Sequence, residues 1–171
     1  CKAGRALAGA GRDHCMTPPA AGFGTRIVST GSFVPEKVVT NFDLAEIMDT
    51  SDEWIQKRTG IRQRHISDQS KGEGTVSLAI NAAVDAFEKS GLAPEDIDLI
   101  ICATCTQEMT CPSVACRISE RLGTKKAAAF DLAAACSGFL YGLNFAETLI
   151  RCGRYRTALI VGADAMSTVM D

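Results

Sequence analysis

The chain has 171 residues, enough for one modest domain with a core, and its 46% hydrophobic and 22% charged residues are ordinary for a globular protein. Its net charge of −2 at pH 7 excludes the basic excess that nucleic-acid-binding surfaces usually carry. No apolar run reaches the ~18 residues of a membrane-crossing helix, so we expect neither a nucleic acid nor a membrane as partner.

The eight cysteines do not indicate a disulfide framework, because most of them lie inside apolar or helical patterns. The first fifteen residues are rich in Ala, Gly and Arg and lack the apolar stretch of a secretory signal. We therefore expect free thiols and a cytoplasmic location, because the reducing cytoplasm disfavours disulfides. Residues 1–24 are predicted to be a tail that is disordered or non-native.

Strands and helices are predicted to alternate along the rest of the chain. Asn41 is the expected N-cap of the first helix and Ser51 that of the second, which ends at Gly60. The predicted elements are a strand over 25–35, helices over 41–49, 51–60 and 72–91, a strand over 99–105, a helix over 112–121, a strand over 127–132, a helix from Cys136 to Arg151 and a strand over 157–164.

This alternation predicts an α/β fold, and the three continuously apolar strands indicate a parallel sheet with helices on both faces. Binding sites in such sheets lie at the carboxyl ends of strands, where helices begin. Cys136 occupies such a position, between a predicted strand and the helix that follows it.

The surroundings of Cys136 allow two interpretations. Small neighbours on both sides let the backbone turn sharply and let a substrate approach. The free N–H groups and the dipole of a helix N-terminus stabilise a thiolate, and the same N–H groups can hold the oxyanion of a thioester under attack. The alternative is a buried structural cysteine in a tight strand-to-helix connection, which this stretch alone somewhat favours.

A zinc site is suggested by the spacing of Cys102 and Cys105, followed by Cys111 and Cys116, but other features argue against it. Residues three apart on a strand point to opposite faces of the sheet, and no histidine lies nearby. We therefore expect no metal and no redox pair in this segment. Glycine motifs for dinucleotides or for a phosphate loop are also absent from the sequence.

Trp54, the only tryptophan of the chain, lies four residues before Arg58, so the two side chains share one helix face. One interpretation is a core tryptophan beside a solvated arginine, which the pattern alone favours. The other is a binding site for a nucleotide-bearing ligand, with the ring stacked on the base and the cation facing a phosphate.

Four stretches, in this order, resemble the β-ketoacyl-acyl-carrier-protein synthase III family of thiolase-fold condensing enzymes. They are "IVSTGSFVPEKVVTNFDL", "DTSDEWIQKRTGIRQRHIS", "CPSVACRISERLGTKKAAAFDLAAACSGFLYGL" and "ALIVGAD". The resemblance covers residues 25–171 and implies the N-terminal half of a duplicated thiolase-like fold. It also implies a homodimer, and a C-terminal half, absent here, that carries a catalytic histidine and asparagine.

The resemblance further implies roles for individual residues. Cys136 matches the nucleophile, which takes an acyl group from an acyl-CoA, typically acetyl-CoA, before condensation with malonyl-acyl carrier protein. Trp54 matches the residue that stacks on the CoA adenine, while Thr50 and Arg58 match contacts to the nucleotide end of CoA. Acyl-CoA is then a substrate, with no permanently bound cofactor, and we expect the 171-residue piece alone not to condense.

One departure leaves the acyl substrate open: Cys111 stands where family members often have a phenylalanine that reaches the acyl pocket of the neighbouring subunit. Two alternatives therefore remain. The chain is part of a related thiolase-fold acyltransferase with a different acceptor, or it is a non-catalytic half-fold that binds CoA or the carrier protein.

Overall fold

The computed structural model describes residues 24–169. The predicted tail therefore lies outside the described residues, apart from Gly24. The strands are β1 (Val38–Thr40), β2 (Gln63–His65), β3 (Leu99–Ala103), β4 (Ala128–Leu132) and β5 (Ala158–Gly162). The helices are α1 (Asn41–Ala45), α2 (Asp52–Thr59), α3 (Thr75–Ser90), α4 (Val114–Leu122) and α5 (Gly138–Arg151).

The main sheet is parallel and has the strand order β4-β3-β5. Leu99 of the central strand lies opposite Ala128 on one side and Ala158 on the other, and every residue of β3 is buried. A strand that is hydrogen-bonded on both edges and covered on both faces has to be apolar throughout, as "LIICA" is. The predicted α/β fold with a parallel sheet is confirmed.

Helices cover both faces of this sheet. On one face, Ile100 and Cys102 pack with Ile118 of α4 and Ala79 of α3 in one apolar cluster. On the other face, the neighbouring strand residues Leu99 and Ile101 pack with Ala146 of α5. The alternation of side chains along β3 thus divides the core into two layers. Among residues 24–169, no helix has the length and hydropathy that crossing a bilayer would require.

A smaller unit precedes this sheet and consists of the antiparallel pair β1–β2 with α1 and α2. Its centre is the fully buried side chain of Asn41. The Asn41 amide donates to Asp52 Oδ1 and to the carbonyl of Ile61, both at 2.8 Å, and its Oδ1 accepts from Arg64 at 2.7 Å. One buried amide therefore connects α1, α2 and β2. The pairing of β1 with β2 had not been predicted from the sequence.

The predicted first helix is wrong in its cap and in its length. Thr40 is the N-cap and forms a capping box with Asp43, and the helix ends at Ala45 rather than at residue 49. Asn41 is a residue type that caps helices well, but its side chain is engaged in the buried hydrogen bonds described above and cannot cap.

The predicted strand over 25–35 is also wrong. This segment lies against α3, where the Ser29 hydroxyl donates to the carbonyl of Ala86 at 2.8 Å and the Ser32 amide donates to Asp85 Oδ2 at 2.9 Å. Gly31 approaches the backbone of α3 so closely that a Cβ there would collide with the carbonyl of Ala82. At the end of the segment, the Pro35 carbonyl is hydrogen-bonded to the His65 ring of β2. The segment forms no strand, because the hydrogen bonds described for it go to α3 and to this side chain and not to a neighbouring strand.

The remaining elements differ from prediction only at their ends. Ser51 and Gly60 bound α2 as predicted. The helix α4 begins after Ser113, whose hydroxyl accepts from the amide of Cys116 at 3.2 Å, rather than at Pro112. The strand β3 stops at Ala103, so Cys105 lies beyond the sheet.

The Asp131 carboxylate, near the end of β4, joins this strand to the start of α4. It accepts hydrogen bonds from the backbone amides of Val114 and Ala115, both at 2.8 Å. These are two of the N–H groups that a helix leaves unpaired in its first turn. The carboxylate therefore fixes the N-terminus of α4 against the sheet.

Replacing Asp131 by Ala leaves both amides without this acceptor, and we expect a loss of about 2 kcal/mol in the free energy of unfolding, measured by urea denaturation of the full chain. Asp131→Asn keeps one acceptor oxygen, so its loss should be smaller. The matched control is Glu88→Ala, at an exposed site on α3, with an expected change of about 0.5 kcal/mol or less. Equal losses for Asp131→Ala and Glu88→Ala would contradict the proposed role of the carboxylate.

Candidate active site

Cys136 lies where the chain passes from β4 to α5. It is the central residue of a single 3-10 turn, Ala135–Ser137, directly before α5 begins at Gly138. The side chain of Cys136 is exposed. The predicted position at a helix start is confirmed, and the alternative of a buried structural cysteine is wrong for the described structure. The thiol is thus accessible at the carboxyl edge of the sheet.

The backbone before Cys136 is held in an uncommon conformation. Ala135 has φ 43°, in the left-handed region that residues with a side chain seldom adopt. The amide of Ser137 donates to the carbonyl of Ala134 at 3.1 Å and closes the turn. The small residues around Cys136 therefore permit a sharper turn than larger side chains would allow.

Two glycines bring α5 close to the sheet. At Gly138, a Cβ would lie 3.0 Å from the Cβ of Ala103, at the end of β3. At Gly142, one turn further on, a Cβ would lie 3.1 Å from Ile160 Cγ2 in β5. The absence of side chains at both positions lets the first two turns of α5 pack directly against the sheet, so that the preceding turn, which carries Cys136, lies at the carboxyl edge.

The carboxylate of Asp164, two residues after β5, accepts hydrogen bonds from the segment that follows β3. Its Oδ1 accepts from the amide of Cys105 at 2.9 Å, the hydroxyl of Thr104 at 3.1 Å and the hydroxyl of Thr106 at 3.3 Å. Thr106 Oγ1 in turn accepts from the amide of Ala165 at 2.9 Å. Sequence reasoning missed this cluster. The sequence offered two signals for it. Thr104 and Thr106 flank a cysteine directly after a buried strand, and Asp164 comes two residues after another strand.

The two cysteines of the suggested zinc motif do not share a site. Cys102 is buried in the core, and burial, together with the charges of Asp131 and Asp164, raises the pKa of its thiol to about 12. Cys105 is exposed beyond the strand, where the hydrogen bond between its thiol and Asp164 Oδ1, 3.5 Å long, raises its pKa. Within residues 24–169, no group of three or more His, Cys, Asp and Glu residues is placed to hold a metal ion.

Trp54 and Arg58 lie together on one exposed face of α2. The Arg58 guanidinium carbon is 4.8 Å from the centroid of the Trp54 ring, and Trp54 is 54% exposed. The predicted shared face is confirmed, and the interpretation of Trp54 as a core residue is wrong for the described structure. A planar ring with a cation beside it can stack on a nucleotide base and neutralise a phosphate.

The start of α2 is fixed in position by polar contacts. Ser51 Oγ accepts from the amide of Trp54 at 3.1 Å, and the half-buried Thr50 comes directly before this cap. Hydrogen bonds from Gln56 and Asn41 hold the pKa of Asp52, the first residue of α2, below its ordinary value. The carboxylate therefore remains charged at neutral pH, and its negative charge stabilises α2 by interacting with the positive end of the helix dipole.

The four predicted site residues fall into two groups. Thr50, Trp54 and Arg58 belong to the small unit, whereas Cys136 lies at the edge of the main sheet. No hydrogen bond or ion pair described for residues 24–169 joins the two groups. A hydrogen bond from the amide of Ser67 to the Ser167 hydroxyl, 3.1 Å long, ties the chain after β2 to the chain after β5. It anchors the small unit at the carboxyl edge of the sheet.

Comparison with known proteins supports the family suggested by these motifs. The profile of the family described as 3-oxoacyl-[acyl-carrier-protein (ACP)] synthase III matches residues 130–171, which include Cys136. A β-ketoacyl-[acyl-carrier-protein] synthase III from Clostridium acetobutylicum is 52% identical over 145 residues, which cover 85% of this chain and 44% of that protein. The chain belongs to the synthase III family. It spans less than half the length of the curated relatives that it matches.

Solved structures of synthase III enzymes have the same thiolase-like fold. The enzyme from Aquifex aeolicus superposes with a TM-score of 0.83 at 44% identity, covering 86% of this chain and 47% of that one. The priming β-ketosynthase of the R1128 polyketide biosynthetic pathway superposes with a TM-score of 0.81 at 34% identity, covering 85% and 43%. The chain thus shares its fold with a structure named as a synthase III and with one named as a priming β-ketosynthase.

Because the Cys136 thiol is exposed and the Cys102 thiol is buried, we expect iodoacetamide at pH 8 to alkylate them differently. Cys136 should be modified in the native chain because it is exposed, whereas Cys102 should stay unmodified until urea unfolds the chain, because it is buried and protonated. Peptide mass spectrometry of native and unfolded samples measures both sites. Exposed Cys152, at the end of α5, is the internal control for reagent access. Modification of Cys102 at the rate of Cys152 would contradict this description of the core.

Proposed function

We propose that this chain is the N-terminal half of a β-ketoacyl-acyl-carrier-protein synthase III that joins an acyl group from acyl-CoA, acetyl-CoA in the first instance, to malonyl-acyl carrier protein. The observation that carries the proposal is the exposed thiol of Cys136 at the junction of β4 and α5. Such a reaction would initiate fatty acid synthesis in the cytoplasm.

In the proposed first step, the Cys136 sulfur attacks the thioester carbonyl of acyl-CoA, the carbon–sulfur bond to CoA breaks, and CoA leaves as its thiolate. The N–H groups at the start of α5 have no side-chain cap, so they are suited to stabilise the oxyanion. In the second step, the malonyl group loses carbon dioxide and its carbanion attacks the acyl-enzyme thioester, which releases Cys136. A covalent intermediate of this kind predicts ping-pong kinetics.

In the same proposal, the small unit holds the nucleotide end of CoA. The exposed Trp54 ring stacks on the adenine, and Arg58, already in contact with the ring, faces a phosphate. Thr50, just before the cap of α2, contacts the same end of the ligand. Acyl-CoA is a substrate in this scheme, and no permanently bound cofactor is needed.

The outer face of α5 supports the view that further protein covers this unit. Leu140, Tyr141 and Phe145 are each more than half exposed, although α5 lies on the sheet through its opposite face. An exposed apolar surface of this kind marks an interaction site. We assign it to the remaining part of a synthase, which would also supply the histidine and asparagine that stabilise the malonyl-derived enolate, in a homodimer.

A second candidate keeps the acyl-enzyme but changes the acceptor. It is supported by the structural likeness to a priming β-ketosynthase and by Cys111, a small exposed residue where the family often has phenylalanine. A non-catalytic half-fold that binds CoA or the carrier protein is a third candidate, and the exposed face of α5 argues against it.

Incubating the complete enzyme with radioactive acetyl-CoA should place one acetyl group on Cys136, detected by peptide mapping. Cys136→Ala should abolish the label, and the matched control Cys152→Ala should retain it. The 171-residue chain alone should give no ketoacyl product with malonyl-acyl carrier protein.

Label that survives in Cys136→Ala would overturn the assignment of the nucleophile. Ketoacyl product from the isolated chain would show that no further half is required. Transfer of the acyl group to a different acceptor, with malonyl-acyl carrier protein inert, would favour the second candidate.

Binding of CoA to the 171-residue chain should quench the fluorescence of Trp54, because the base stacks on the only tryptophan. Arg58→Ala should raise the Kd for CoA about tenfold, a typical effect of losing a charge-assisted contact to phosphate. Lys57→Ala removes an adjacent exposed cation of the same helix and should change the Kd much less. Equal effects of the two variants would indicate general electrostatic attraction instead of a defined site.

A further inference from the structure

A second thiol lies at the same edge of the sheet as Cys136. Cys105 follows the central strand β3 and Cys136 follows its neighbour β4, and both side chains are exposed. Both are free thiols in the structure.

The backbone brings these two segments together. Ala103 lies opposite Leu132 in the register of β3 and β4, and the amide of Thr104 donates to the carbonyl of Leu132 at 3.3 Å, which extends the pairing to the residue before Cys105. Adjacent strands lie ~4.8 Å apart. The close approach of Gly138 to Ala103 then places the start of α5 over the end of β3. The turn with Cys136 and the turn with Cys105 are therefore neighbours.

The electrostatics of Cys105 agree with this placement. The hydrogen bond to Asp164 and the charge of Asp164 are the main causes of its raised pKa, and the Cys136 thiol is a further, smaller cause. A protonated Cys105 is a poor target for an oxidant, because the thiolate is the reactive form. The two thiols therefore differ: Cys105 is held by Asp164, while no such carboxylate contact is described for Cys136.

We propose that Cys105 and Cys136 form a reversible intramolecular disulfide when a hydroperoxide oxidises Cys136, so that Cys105 is the resolving cysteine of this edge. The proposal goes beyond the acyl transfer proposed above. It requires only the two exposed thiols and their adjacent positions, and not a role of Cys136 in acylation.

The two steps balance as follows. The Cys136 thiolate attacks one peroxide oxygen, the O–O bond breaks, and a sulfenic acid forms while the peroxide is reduced by two electrons to hydroxide or an alkoxide. The Cys105 sulfur then attacks the Cys136 sulfur, the S–O bond breaks, and the hydroxide leaves as water with the proton of the Cys105 thiol. An added dithiol reverses the disulfide by exchange. Cys136 is thereby kept from irreversible oxidation to sulfinic acid.

The test uses the full chain with Cys1 and Cys15, both outside the described residues, replaced by serine. After treatment with an equimolar amount of hydrogen peroxide and alkylation of free thiols, non-reducing peptide mapping should find the peptide of Cys105 linked to that of Cys136. In a parallel sample that is not alkylated, the intact mass should fall by two hydrogens, and dithiothreitol should restore it. A reversal of this kind distinguishes the disulfide from oxygen addition.

Cys105→Ser should lose the crosslink completely. When this variant and the parent chain are each treated with a molar excess of hydrogen peroxide, Cys136 of the variant should gain two or three oxygens that dithiothreitol does not remove, whereas the parent chain should keep the reversible crosslink. The matched control Cys152→Ser, at the far end of α5, should keep the crosslink. Circular dichroism of each variant checks that it is folded, and the map of the parent chain is decisive even where a variant is not.

A parent chain in which Cys136 gains oxygens while Cys105 stays free would overturn the proposal, as would pairing of Cys136 with Cys111 or Cys116. Acylation of Cys136 in the complete enzyme is measured separately with radioactive acetyl-CoA. Failure of the disulfide therefore leaves the proposed function untouched, and failure of acylation leaves the disulfide untouched.

Discussion

The complete burial of β3 is the constraint from which the rest of the described structure follows. Its five residues are at most 6% exposed, so each of their backbone N–H and C=O groups needs a partner within the protein. Parallel neighbours on both sides supply these partners, and parallel strands require a crossover after each strand. The connection from β3 to β4 contains α4, and the one from β4 to β5 contains α5. Both helices therefore begin at the carboxyl edge, which is where Cys136 and Cys105 are found.

Carboxylates at strand ends complete this edge. Asp131 accepts hydrogen bonds from the first amides of α4, and Asp164 accepts from the amide of Cys105 in the turn after β3. The strand ends are therefore held by hydrogen bonds to charged groups as well as by apolar packing. The start of α5 differs, because no side chain caps it. In α1, α2, α3 and α4, a first-turn amide donates to a side chain, so α5 differs from these four helices. In the proposed reaction, the free amides of α5 would receive the thioester oxygen.

Local sequence signals accounted for much of the main sheet and less of the small unit. Periodicity and caps located α2 and α3 and the three parallel strands, because these depend on nearest neighbours along the chain. The segment over 25–35 and the pairing of β1 with β2 depend on partners tens of residues away, which no local pattern reveals. Asn41 illustrates the limit: two adjacent residues, Thr40 and Asn41, can both cap a helix, and only the buried contacts of Asn41 decide between them. At the site, the four-residue spacing predicted that Trp54 and Arg58 share one helix face, and the strand-to-helix pattern predicted the position of Cys136. The proximity of Cys105 to Cys136 follows only from the register of β3 and β4.

The conformation of Ala135 has a consequence for the precision of the site. Glycine adopts a left-handed backbone freely, but it would also give the turn many other conformations in which to place Cys136. Alanine costs roughly 1–2 kcal/mol in this conformation, and the surrounding contacts must enforce it. Alanine at position 135 thus lowers the folding stability slightly, and it narrows the range of positions open to the Cys136 sulfur. Evolution toward greater stability at this residue would come at the expense of that precision.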